Sequence, residues 1–146
     1  MLRTILALLF VCSILGLSSG QAAEIVRVEL YHAVNTPPPI GTNVAPEKLH
    51  HRLEAVFGFR HYILIKGQNL ELINTWEQWV APRKDFFLRV QPLPLVPGAP
   101  RLVDYEIYNN GVRVAKGTFQ PHKGTPLFVA GPEYQQGILI FVLEAK

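Results

Sequence analysis

The sequence predicts an α+β domain, mainly antiparallel β. A β–helix–β start leads into a sandwich-like antiparallel meander, with one amphipathic helix. Three observations carry this. Apolar and polar residues alternate over much of the chain after residue 23, the period of a half-buried strand. Only residues 46–57 have helical spacing. Twelve prolines and eleven glycines cut the rest into short runs with no repeating period, which excludes collagen-like and solenoid chains. With 146 residues, 49% hydrophobic and 17% charged, the chain is too apolar for disorder and suits a single core.

Residues 1–22 read as a Sec signal peptide, leaving one β-rich domain over 23–146. Arg3 supplies the positive start, residues 4–17 the apolar run, and residues 18–23 the small-residue region. The run is shorter than the roughly 20 residues that span a bilayer, and cleavage is expected after Ala22. Export places the protein in a bacterial periplasm, at the cell surface or outside the cell.

The elements follow in order. Residues 24–35 alternate as a strand, with Val26, Val28, Leu30 and Val34 on one side and Arg27 and Glu29 on the other. Pro37-Pro38-Pro39 breaks it. Leu49, Leu53, Val56 and Phe57 form one helical stripe, with Pro46 suited to the first helical position and Gly58 to the stop. Residues 59–66 are a strand ended by Gly67-Gln68-Asn69. Residues 70–80 and 86–91 are further strands around a turn at 81–85, and the proline-rich 92–100 cannot enter a sheet.

Asn110-Gly111 is the clearest hairpin signal, between strands at 102–109 and 112–119. A tight turn there puts Val103, Tyr105 and Ile107 on one face with Val112 and Val114. Glu106 and Arg113 fall on the other, where they can pair diagonally. Strands at 127–130 and 138–144 complete the chain, separated by Gly131-Pro132 and Gly137. The last is apolar throughout and should be buried on both faces.

Two stretches carry a family resemblance. One runs from Pro46-Glu47-Lys48-Leu49 through Leu53-Glu54-Ala55-Val56-Phe57-Gly58-Phe59-Arg60-His61-Tyr62. The other runs from Gly124 to Pro132 and from Gly137 to Glu144. Together they resemble a family of small secreted β-rich proteins of Gram-negative-type bacteria to which no activity is attached. The resemblance implies fold and compartment and transfers no catalytic residue.

The chemistry is defined mainly by what is missing. Cys12, the only cysteine, and Ser13, Ser18 and Ser19, the only serines, all lie in the signal segment. Cleavage therefore removes thiol and serine nucleophiles, disulfides and cysteine–zinc sites. No phosphate-binding glycine motif occurs. A net charge of +3 is spread without a basic stripe, so no nucleic-acid partner is expected. Glu47 with His51 and His50 with Glu54 have i,i+4 spacing, each one ligand short of a catalytic zinc site. His61 is the candidate third ligand. His32 points to the core side near a strand end, as a satisfied buried histidine would. Asp104 and Glu106 share a strand face that reads as solvated.

These exclusions leave a non-catalytic exported protein, a protein-binding or envelope-assembly module with no cofactor. Its expected partner is another envelope or secreted protein, with membrane contact only through an uncleaved signal segment. The alternative is a carbohydrate-binding module with an aromatic platform, and behind it a metal-dependent enzyme using His50, Glu54 and His61. The expected binding surface comprises Trp76, Trp79, Tyr108 and Tyr134, with proline-bearing loops at 36–43 and 92–100. Trp76 and Trp79 fall on opposite faces of a strand, so at least one is expected in the core.

Overall fold

The computed structural model describes residues 24–73, 77–80 (backbone only) and 85–146. The predicted signal segment and Trp76 lie outside the described residues. The strands are β1 (Glu24–Val34), β2 (His61–Leu72), β3 (Glu77–Val80), β4 (Phe86–Pro92), β5 (Val103–Asn109), β6 (Val112–Phe119), β7 (Leu127–Tyr134) and β8 (Gly137–Ala145). The helix is α1 (Glu47–Phe57). The domain is α+β and mainly antiparallel β.

The strands form two four-stranded sheets, ordered β2-β1-β8-β7 and β3-β4-β5-β6. Between the sheets lies the larger core. Val26, Val28 and Leu30 of β1 and Leu139, Phe141 and Leu143 of β8 pack there with Phe86, Leu88, Val90, Val103 and Ile107 of the second sheet. Phe86 stacks on Phe141 across the gap, with ring centroids 5.5 Å apart. Side chains of the opposite parity, Tyr31, Ala33, Ile140 and Val142, meet Leu53 of the helix in a smaller core. The first sheet is therefore covered on both faces, and β8 buries five consecutive residues, Leu139, Ile140, Phe141, Val142 and Leu143. That is why its sequence shows no alternation.

The helix forms over an apolar stripe and stops at Gly58, whose φ of 76° is left-handed and whose N–H donates to the Glu54 carbonyl at 2.9 Å. Two details differ from expectation. Pro46 is the extended N-cap, with ψ 149°, and not the first helical residue. Val56 is exposed, because the stripe that reaches the sheet is Leu49, Leu53 and Phe57.

Four further expectations are corrected. Gly67-Gln68-Asn69 is not a turn, since β2 runs unbroken past it. Pairing with β1 carries the strand through, and Gly67 sits opposite Glu29, whose side chain lies over it. The last two strands do not extend the meander but return to the first sheet. β7 continues through Gly131-Pro132 to Tyr134, absorbing the proline as a break in register between Ala130 and Glu133. Val112 and Val114 do not share the core face with Ile107. Ile107 pairs with Ala115 and Tyr108 with Arg113, so Val114 is an extra, bulged residue. The bulge turns Ala115 and Phe119 inward and leaves Val112 and Val114 exposed.

The Asn110-Gly111 turn itself forms as predicted, with φ of 52° and 75°. Glu106 and Arg113 pair across the outer face at 3.0 Å.

Candidate functional site

β1 ends, and β8 begins, at the same end of the first sheet. Tyr134 pairs with Gly137 there, joining β7 to β8 through Gln135 and Gln136. Both glutamines have positive φ, 39° and 65°. Two-residue hairpin turns of this kind favour Asn-Gly or Asp-Gly, because a Cβ in the left-handed region is strained. Gln-Gln has neither remedy. Such strain persists only where the surroundings over-determine the conformation.

Two contacts do so. The Nε2 of His32 lies 2.8 Å from the Tyr134 carbonyl oxygen. A carbonyl only accepts, so Nε2 carries the proton and donates it. The His32 ring also meets the Tyr134 ring edge-on, at 5.0 Å between centroids. On the other arm, Gly137 passes so close to β1 that a Cβ would fall on the Ala33 carbonyl oxygen. Only glycine allows that approach. His32 is thus the satisfied, buried histidine that its parity predicts, and it secures an exposed turn.

Beside the turn is a cleft of about 510 Å³, walled by Phe59, Glu133, Tyr134, Gly137, Ile138 and the two glutamines. Phe59 follows the helix stop, and its N–H donates to the hydroxyl of buried Tyr62 at 3.2 Å. Burial raises the Tyr62 pKa, keeping the phenol neutral. The next N–H, of Arg60, donates to Asn35 Oδ1 at 3.1 Å, tying the helix–strand connection to the end of β1.

The loop after β1 is rigid in its own way. Both the N–H and the Oγ1 of Thr42 donate to the Pro39 carbonyl, at 3.2 and 2.7 Å, and Gly41 has φ 86°. This closes a turn whose outermost side chain, Ile40, is fully exposed. The loop then returns along β2 through the Val44–Ile63 bridge.

Of the predicted surface residues, Tyr108 and Tyr134 have described side chains and lie on different sheets. Tyr134 is half-buried at the cleft. Tyr108 lies on the outer face of the second sheet, stacked on Phe87 at 4.8 Å and 14°, with its hydroxyl donating to Glu106 at 2.8 Å. Trp79 lies in β3 opposite Leu88, where only the backbone is described, and Trp76 lies outside the described residues.

The candidate catalytic carboxylates are held by neighbours. Asp104 accepts from Thr118 Oγ1 at 2.5 Å. Glu106 accepts from Tyr108 and Arg113, and its pKa is lowered first by the Tyr108 hydrogen bond and then by Arg113. The helix histidines pair as their spacing predicts, His50 with Glu54 at 3.8 Å and His51 with Glu47 at 3.7 Å. His61 does not join them: it starts β2, opposite Val34. Among the described residues no three histidine or carboxylate side chains gather as a metal site would require.

Sequence reasoning missed Gln135, Gln136 and Phe59 as site residues. Their types carry no signal, and only the backbone geometry reveals the turn. Comparison with protein-family models, curated proteins and solved structures finds no match to this chain.

Proposed function

We propose that the protein is a non-catalytic exported module that binds another envelope or secreted protein through the Gln135-Gln136 end of its first sheet. The observation that supports this is the turn itself: two exposed glutamines held in the left-handed region by His32 and Gly137. Ordinary hairpin folding is better served by Asn-Gly. A strained, fixed and exposed turn beside a cleft is a binding element in its bound shape before the partner arrives, which lowers the entropy lost on docking. Export rests on the N-terminal pattern, and the non-catalytic reading on the confinement of every serine and the one cysteine to the predicted signal segment. A sugar platform draws less support, because Phe87 and Tyr108 stack their ring faces on each other.

Replacing the pair separates folding from function. Gln135→Asn with Gln136→Gly should raise stability by about 1 kcal/mol in urea unfolding. The same variant should lose a partner that crosslinks to the wild-type protein in the envelope. A variant that is stabilised and keeps that partner contradicts the proposal.

A further inference from the structure

Along β1 and β8 every second side chain lies on the face that the helix covers. Tyr31, Ala33, Ile140 and Val142 are apolar and pack against it. The same parity continues to Arg27, Glu29 and Glu144, which are polar, with Arg27 directly opposite Glu144. Here the sheet forms one wall of a cleft of about 310 Å³. Lys48, Leu49 and Arg52 of the helix form the other wall, and Gly124 closes one side.

The two walls carry opposite charges that the fold keeps apart. Arg27 and Glu29 cancel each other: Glu29 Oε1 accepts from Arg27 Nε and Nη2 at 2.8 and 2.6 Å, and Oε2 accepts from Tyr31 at 2.9 Å. Glu144 and Arg52 are both fixed on Gly124. Arg52 Nη1 donates to the Gly124 carbonyl at 2.9 Å, and Glu144 Oε1 accepts from the Gly124 N–H at 2.6 Å. Neither Lys48 nor Arg52 has a carboxylate within ion-pair distance among the described residues. The helix carboxylates Glu47 and Glu54 pair with histidines instead. Two cations one helical turn apart repel each other, so the fold itself gains nothing from this pair.

We propose that this cleft binds a small zwitterion of the amino-acid class, a free amino acid or a dipeptide. The carboxylate lies between Lys48 and Arg52, the ammonium on Glu144 Oε2, and the side chain on Leu49 and Val142. Arg52 uses one of its five N–H groups on Gly124, and those left offer the paired donors that a carboxylate accepts. The volume is at the lower end of small-molecule sites, about 300–1,000 Å³, which fits a ligand of that size. The cleft shares no residue with the one at Gln135-Gln136, so the two sites can be tested apart.

Calorimetric titration of the full chain tests this with leucine and leucyl-leucine, each beside its N-acetyl and C-terminal amide forms. Saturable binding of at least one free zwitterion is expected. Capping either end should weaken it about tenfold, the loss of one charge-assisted hydrogen bond. Lys48→Gln alters a side chain that the fold does not use, and Glu144→Gln keeps an acceptor for the Gly124 N–H. Each should also weaken binding by about tenfold while circular dichroism stays that of the wild type. Equal binding of the N-acetyl forms overturns the zwitterion in favour of a plain anion site. No saturable binding of either free ligand, or binding unchanged in Lys48→Gln, overturns the site itself. Should Glu144→Gln fail to fold, the capped ligands and Lys48→Gln still decide.

Discussion

His32 donates from Nε2 to the Tyr134 carbonyl at 2.8 Å, across 102 positions of sequence. This bond ties the end of β1, an inner strand of the first sheet, to the base of the Gln135-Gln136 turn. A half-buried acceptor that loses its donor keeps part of its desolvation penalty. His32→Phe should therefore destabilise the domain by about 1–3 kcal/mol, read as a lower urea midpoint. Amide exchange at Gln135 and Gln136 should accelerate more than exchange in β5. Equal acceleration in both would show that the bond does not specifically secure the turn.

Gly137→Ala should be the most damaging single-methyl change at this end of the molecule. The new Cβ meets the backbone carbonyl of Ala33, which cannot rotate away as a flexible side chain would, and also crowds Val34 Cγ1. Overpacking of this kind costs about 1–3 kcal/mol, sometimes more. Failure to accumulate in the cell, or a melting temperature several degrees lower, is expected. Gly41→Ala, with open space around its Cβ, should carry only the smaller penalty of its left-handed backbone.

Tyr31 predicts an alkaline limit to stability. Its hydroxyl donates to Glu29 Oε2 at 2.9 Å, and its pKa is raised, first by burial and then by the Glu29 charge. In the unfolded chain a tyrosine ionises near pH 10. The folded state holds the proton to higher pH, so the contribution of Tyr31 is complete below about pH 10 and is lost as pH rises from there. Stability measured from pH 8 to 11.5 should fall above pH 10, and Tyr31→Phe should flatten part of that fall. An unchanged slope in the variant would assign the effect to other groups, Tyr62 first.

The contrast between what sequence reveals and what it hides has physical causes here. The helix is legible because Leu49, Leu53 and Phe57 recur at its period and Gly58 supplies the stop. The Asn110-Gly111 hairpin is legible because its residue types relieve the positive φ of the turn. The face of β6 is not, because nothing in Val112-Arg113-Val114-Ala115 marks Val114 as the bulged residue. Gln135-Gln136 is hidden for the opposite reason to Asn110-Gly111, since its residue types oppose the conformation that tertiary contacts impose. Tyr134 is legible as a surface aromatic although its strand is expected to end at Ala130, whereas Gly137 reads as a strand separator and is a point of close backbone approach.

The most direct test of a partner site at the Gln135-Gln136 end is photocrosslinking in the cell envelope. A photoreactive residue would replace Gln136 in one strain and Thr118, on the outer face of the second sheet, in another. A discrete adduct with an envelope or secreted protein from position 136, absent from position 118 and lost in His32→Phe, is the predicted result. The same adducts from both positions, or none from position 136, would contradict it.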